Sequence, residues 1–166
     1  MTPESIDNRE LIKNAIVAEI DGQKFYKFLA DKATNVDARR KLTNLAKDEI
    51  RHETILIKIY KDLFDEEVEN LPNQGVSVLS RFFSDRRETE PINEIQCIDM
   101  AIEAELAATE FYKSSAESAD NDEIKDIYAQ MANEEFRHYE LLKAEREAVT
   151  GNYSWFEFDE TSPMEL

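Results

Sequence analysis

Cysteine, glycine, proline and histidine are all scarce in this chain, and each shortage narrows what it can be. A single cysteine, Cys97, among 166 residues leaves no intrachain disulfide and no four-cysteine iron site within this sequence. Three glycines and four prolines supply too few turns for an all-β fold. Ala, Glu, Lys, Leu and Ile are plentiful instead, and these favour helices. No apolar run approaches the ~18 residues needed to cross a bilayer, and residues 1–12 carry charges where an export signal would be apolar. A soluble, cytoplasmic protein with no membrane association is the expectation. Positive charge is also scarce: 20 Lys and Arg stand against 37 Asp and Glu, a formal charge of −17. Nucleic-acid affinity depends largely on cations neutralising phosphate, so nucleic acid is a poor partner for this surface. The length suits one ordinary domain with a core that needs no disulfide or zinc staple.

Only two histidines are present, and they occur in one repeated phrase: Glu49-Ile50-Arg51-His52 and Glu135-Phe136-Arg137-His138. Thirty residues upstream of each phrase's glutamate stands another, Glu19 and Glu105. An offset of 86 positions carries the first copy onto the second without a gap, matching Ala15, Ile16, Phe25, Tyr26, Ala46 and Leu56 with Ala101, Ile102, Phe111, Tyr112, Ala132 and Leu142. Such self-similarity reads as an internal duplication.

Apolar periodicity divides the chain into four helices. The first begins near Asp7, where Glu10 completes a capping-box pattern, and runs to about residue 34. The second spans about 37–64, the third about 92–119, and the fourth about 122–148, capped by Asp120 or Asn121 and closed by Gly151. The turn at Thr34-Asn35-Val36-Asp37 is short, so the first two helices should be antiparallel neighbours. Residues 65–91, with Leu71-Pro72-Asn73-Gln74-Gly75 and then Val76, Val78, Leu79, Phe82 and Phe83, read as a long crossover holding one short helix. Two hairpins joined by a long crossover make an all-α, ferritin-like four-helix bundle over residues 1–150. Residues 151–166 form an aromatic and acidic tail, expected to pack on the bundle or a second subunit, or else to dock a partner.

On the second helix Leu42, Leu45, Glu49, His52, Leu56 and Ile59 share one stripe, so the glutamate and histidine stand where core side chains belong. Glu135 and His138 repeat this on the fourth helix, and Glu19 and Glu105 interrupt the apolar faces of the first and third. Ionised carboxylates crowded into a low-dielectric interior are strongly disfavoured without cations. Two divalent ions would balance four carboxylates, with two neutral imidazoles completing the shell. The i, i+3 spacing lets Glu and His reach one metal together, which makes Glu49 and Glu135 the expected bridges and Glu19 and Glu105 the terminal ligands. The alternative is a bundle that keeps these residues but binds no metal.

Six further positions invite comment. Tyr26 and Tyr112 lie seven residues after Glu19 and Glu105, within reach of the carboxylates as hydrogen-bonding support, or else as plain core. Gly22 stands one turn after Glu19, either for close helix packing or to leave room for a small oxidant. Arg51 and Arg137 should face outward in surface ion pairs, and Cys97 reads as core.

With these motifs the sequence resembles a rubrerythrin-like member of the ferritin-like superfamily, over roughly residues 8–148. The resemblance implies that Glu19, Glu49, His52, Glu105, Glu135 and His138 hold two iron ions, with manganese or zinc as alternatives, and that Tyr26 and Tyr112 support them. It departs from the pattern twice: a cysteine-rich rubredoxin domain is missing, and Ile102 stands where rubrerythrins carry an extra glutamate. The implied activity is a di-iron oxidoreductase reducing peroxide or dioxygen, in oxidative-stress defence or iron homeostasis, with an external electron donor such as a rubredoxin-like protein and a homodimer or larger homo-oligomer. A ferroxidase of iron storage and a noncatalytic metal-binding module are the alternatives.

Overall fold

The computed structural model describes residues 8–72, 79, 80, 82 and 91–157. Four helices carry them: α1 (Asn8–Lys32), α2 (Val36–Phe64), α3 (Glu94–Ser118) and α4 (Asp122–Val149), with no strand among the described residues. The architecture is the all-α four-helix bundle read from the sequence. Asparagine starts three of the helices. Asn35, Asn93 and Asn121 each accept a hydrogen bond from the backbone N–H three residues on, at Ala38 (3.0 Å), Gln96 (3.2 Å) and Ile124 (3.1 Å). Each such cap contributes about 1 kcal/mol by satisfying a donor the helix leaves open. α2 stops at Asp65, whose left-handed backbone (φ 51°) turns its N–H back onto the Lys61 carbonyl. The expected Asp7–Glu10 cap lies partly outside the described residues, as does most of the short crossover helix.

Two apolar clusters fill the interior. One joins Ile12 and Ile16 of α1, Leu56 and Ile59 of α2, Tyr112 of α3 and Met131 of α4. The other joins Phe25 and Leu29, Leu42 and Leu45, Ile98 and Ala101, and Leu142. The first cluster thus takes the beginnings of α1 and α4 and the ends of α2 and α3, so α3 runs in the same direction as α2. The 65–93 connection must therefore travel the whole bundle, about 40 Å at 1.5 Å per helical residue. Within each hairpin the helices pack closely, α1 on α2 and α3 on α4, whereas the backbones of different hairpins approach only sparsely, chiefly at α2 and α4. Between the clusters, at mid-height, lies a belt of buried glutamates and histidines.

The described part of the tail, residues 151–157, packs on this chain's own bundle. Trp155 and Phe156 are buried in the second cluster, and the Trp155 carbonyl accepts the N–H groups of Thr34 (2.9 Å) and Asn35 (3.2 Å) at the α1–α2 turn. The Trp155 indole N–H donates to Glu145 at 3.4 Å, and Ser154 donates to Glu94 at 3.1 Å. The tail thereby ties the turn of one hairpin to both helices of the other. Cys97 is buried in the same cluster.

Candidate metal centre

All six residues of the repeated motif meet in the belt, each buried. Their donor atoms fall into two sets, each lying within 4.8 Å of one another: Glu19, Glu49, His52 and Glu135, and Glu49, Glu105, Glu135 and His138. Glu49 and Glu135 belong to both sets. The i, i+3 spacing points Glu and His of one helix at one level, and the two imidazole rings lie 6.0 Å apart with a 29° tilt.

The donor atoms aim at one another, yet beyond the hydrogen bond of His138 Nδ1 with Glu135 Oε2 several of them stay unsatisfied. Glu19 Oε2, Glu49 Oε1, His52 Nδ1 and Glu135 Oε1 are buried and have no hydrogen-bond partner. His52 Nδ1 lies 2.8 Å from Glu135 Oε1 and 3.4 Å from Glu19 Oε2, and His138 Nδ1 lies 3.0 Å from Glu135 Oε2 and 3.7 Å from Glu105 Oε2. Orphaned buried acceptors are rare in folded proteins, and a cluster of carboxylate and imidazole donors converging on shared points could hold metal ions.

Electrostatics records the same strain. Burial, and then the neighbouring carboxylate of Glu135, push Glu49 well above the carboxylate range and Glu105 up to about 7. Burial would also raise Glu135, but the imidazoles of His138 and His52 overcome it and bring that group down to about 2. For His52, burial is outweighed by the carboxylates of Glu135 and Glu19, which raise it to about 11. For His138 the Glu105 and Glu135 carboxylates do the same, to about 10. Protons held by the imidazoles therefore occupy the electrostatic role that divalent cations would take.

Support crosses between the hairpins. The Tyr26 hydroxyl of α1 donates to Glu105 of α3, and the Tyr112 hydroxyl of α3 donates to Glu19 of α1. Each tyrosine thus serves the glutamate of the opposite copy. Burial holds both phenols well above their ordinary value, so they remain protonated donors. The outer imidazole nitrogens are likewise paired: His52 Nε2 with Glu134 Oε2 at 3.1 Å and His138 Nε2 with Asp48 Oδ2 at 3.2 Å. A carboxylate on the outer nitrogen fixes the tautomer that leaves Nδ1 free to bind. Sequence reading passed over Asp48 and Glu134. The signal was there, because the two are equivalent under the 86-residue offset and each directly precedes a motif glutamate, but as Asp against Glu they are not an identical match.

Gly22 packs against the motif itself: a Cβ added there would sit 3.2 Å from Glu49 Cγ. It also lines a mostly apolar cavity of ≈ 330 Å³ between α1 and α3, with Ala15, Ala18, Ala104, Ala108 and Phe111, floored by Glu19, Glu49 and Glu105.

The sequence profile of the rubrerythrin family matches residues 10–146, with a second, overlapping match over 96–162. The chain belongs to the rubrerythrin family. No curated protein matches the sequence significantly. Among solved structures, a hypothetical protein from Pyrococcus furiosus is 29% identical, with a TM-score of 0.72 over 90% of this chain and 92% of its own. CopM in its Cu(II)-bound form is 13% identical, with a TM-score of 0.69 over 84% of this chain and 95% of its own. Its Ag-bound form, obtained by soaking, is 12% identical, with a TM-score of 0.68 over 90% and 98%. At such identities the CopM likeness concerns the fold alone. No described helix of this rubrerythrin-family chain is long and apolar enough to cross a membrane.

Proposed function

We propose that this protein is a di-iron carboxylate oxidoreductase that reduces peroxide or dioxygen. The observation that carries the reading is the pair of overlapping four-residue donor sets, sharing Glu49 and Glu135 and holding four unpartnered buried atoms. Glu19 and His52 would hold one iron and Glu105 and His138 the other, with Glu49 and Glu135 between them. Two bound irons supply two electrons in all, the number that cleaving one peroxide bond to two waters consumes together with two protons.

The chain's own residues do the rest. The alanine-lined cavity gives a small oxidant a mostly apolar approach to the three carboxylates at its floor. Tyr26 and Tyr112 orient Glu105 and Glu19 and keep their hydroxyl protons beside them. The aliphatic clusters above and below the belt exclude bulk water. In this reading an external, rubredoxin-like donor returns the electrons, and the working form is a cytoplasmic homodimer or larger homo-oligomer.

A second reading, a ferroxidase serving iron storage, is favoured by the symmetry of the donor sets: Ile102 stands one turn before Glu105 and adds no seventh ligand. Anaerobic loading with two equivalents of Fe(II), followed by stopped-flow mixing with peroxide or oxygen, tests both. Faster oxidation by peroxide supports the oxidoreductase, and rapid oxygen-driven turnover of excess Fe(II) in a closed many-subunit shell supports storage. Glu49→Ala should abolish turnover while helix content stays intact; unchanged turnover overturns both readings.

A further inference from the structure

The duplication makes the centre look two-fold, yet one residue breaks the symmetry. Arg51 and Arg137 are equivalent in the two copies, each placed directly before a motif histidine. Arg51 reaches across the seam between α2 and α4: its guanidinium donates twice to Glu134, once at 3.3 Å and once more closely, and at 3.2 Å to Asp48. Those are the two carboxylates that hold the outer nitrogens of His52 and His138. Among the described residues Arg137 makes no matching bridge; it is exposed and lines a cavity of ≈ 420 Å³.

We propose that Arg51 is a positioning residue that makes the two metal positions inequivalent, closing and fixing the His52 side while the His138 side stays open to water. The proposal rests on the reading of the six motif residues as ligands for two ions. Burial argues for it independently of the arginine contacts. His52 is 0% exposed and His138 is 8% exposed. Their outer carboxylates differ in the same sense: the Glu134 side chain is 21% exposed and that of Asp48 40%. The ≈ 420 Å³ cavity is lined by His138 itself, with Asp48, Glu134 and both arginines, whereas the cavity of ≈ 380 Å³ on the other side is lined by Glu134 and Arg51 and not by His52.

Two consequences follow. Arg51 is anchored chiefly on Glu134, so its charge offsets the carboxylate behind His52 more than the one behind His138. A dication entering the His52 position has behind its histidine a carboxylate largely neutralised by Arg51, whereas one entering the His138 position keeps more of the negative charge of Asp48. The His138 position therefore fills first, with stepwise constants separated by about tenfold or more, the range that outer partners of a ligand command. The second consequence concerns hydrogen exchange: the outer N–H of His52, sealed by Glu134 and Arg51, exchanges with solvent more slowly than that of His138.

Cobalt(II) titration followed by proton NMR reads both. Each bound ion gives its histidine N–H a paramagnetically shifted, solvent-exchangeable resonance. The first equivalent should raise a signal that vanishes quickly in D₂O, and the second a signal that persists. Arg51→Gln should merge the two steps and speed the slow exchange, Arg51→Lys should keep the steps apart by retaining the charge, and Arg137→Gln should change neither. Two cobalt ions bound in one step with equal exchange in the unaltered protein overturns this proposal alone, and that measurement needs no variant to fold. So does an Arg137→Gln effect equal to that of Arg51→Gln. Failure to bind two cobalt ions at all defeats the metal-centre reading beneath it.

Discussion

Replacing Gly22 with alanine should move the metal-free and metal-loaded proteins in opposite directions. The added methyl would lie 3.2 Å from Glu49 Cγ and 3.3 Å from both Cδ and Oε2, so the Glu49 side chain must yield by a few tenths of an ångström. In the metal-free protein it can yield. Glu49 Oε1 has no hydrogen-bond partner to lose, and the mid-helix change from glycine to alanine stabilises the fold by about 0.5–1 kcal/mol. The melting temperature should rise by about 2–4 °C for each kcal/mol gained in a domain of this size.

With metal bound the same shift is not free. Glu49 belongs to both donor sets, and metal–ligand distances tolerate only about 0.2 Å of error. Displacing a shared ligand by more than that should weaken loading by about tenfold to a hundredfold, or about 1.4–2.7 kcal/mol. Bound ligand stabilises the fold in proportion to its affinity, so the loaded variant should melt below the loaded parent although its metal-free form melts above. Thermal melts by circular dichroism, once in chelator and once with two equivalents of Mn(II), decide the matter. A drop in the metal-free melting temperature would show that Glu49 cannot move aside, and an unchanged affinity would show that its position does not govern binding; either refutes the reasoning.

Four more predictions rest on other groups. Metal loading at pH 7 should release protons, one from each of His52 and His138 (about 11 and about 10) and a further share from the raised carboxyls of Glu49 and Glu105 (the latter about 7), so apparent affinity rises with pH; weakly buffered titration calorimetry that finds no proton release disproves the protonated cage. By the same shifts, the histidines' contribution to metal-free stability is full below about 6.5 and is lost as pH climbs through 10 and 11, while Glu49 and Glu105 already disfavour the fold above about 4.5. Chemical denaturation at pH 5 and pH 9 should show the metal-free protein weaker at pH 9. Tyr26→Phe should strip Glu105 of its donor, and Tyr112→Phe should do so for Glu19; each should lower metal affinity about tenfold or more, read by competition with a chromophoric chelator. Trp155→Ala should destabilise the fold by about 3–5 kcal/mol yet leave two metals bound per chain, and a loss of metal without a loss of stability would contradict the tail's role as a strap.

The sequence disclosed the four helices because their stripes are regular and a short turn and a cap at Asp120 or Asn121 mark some of their ends, whereas the caps at Asn35 and Asn93 emerged only in the structure. The six motif residues were legible for a different reason: polar groups stand at core positions twice, in one register. What escaped was everything set by angle across the seam. Offset and spacing place Tyr26 two turns from Glu19, yet the hydroxyl turns to Glu105 on another helix, which only the packed bundle shows. Asp48 and Glu134 sit beside the stripe, half-exposed, and their spacing resembles that of any surface carboxylate. Arg51 was read as a surface ion-pair former, which it is, but its partners are the residues behind the two histidines.

The crossed pattern has a consequence for how the centre comes to exist. Tyr26 reaches Glu105, Tyr112 reaches Glu19, Glu134 reaches His52 and Asp48 reaches His138, and every one of these pairs joins one hairpin to the other. Each donor set likewise draws from both hairpins, since Glu49 and Glu135 appear in both. The backbones of the two hairpins approach only sparsely, so side chains attach one half to the other: the belt, the two apolar clusters on either side of it, and the tail. A single hairpin, though it holds a complete Glu and Glu-x-x-His motif, therefore lacks one of the four donors of one set and three of the four of the other, together with the supporting contacts that cross between the hairpins. Duplication within one chain supplies both halves at fixed stoichiometry. It also lets equivalent positions diverge, as Arg51 and Arg137 have done, which two identical hairpins associating as a symmetric dimer could not achieve.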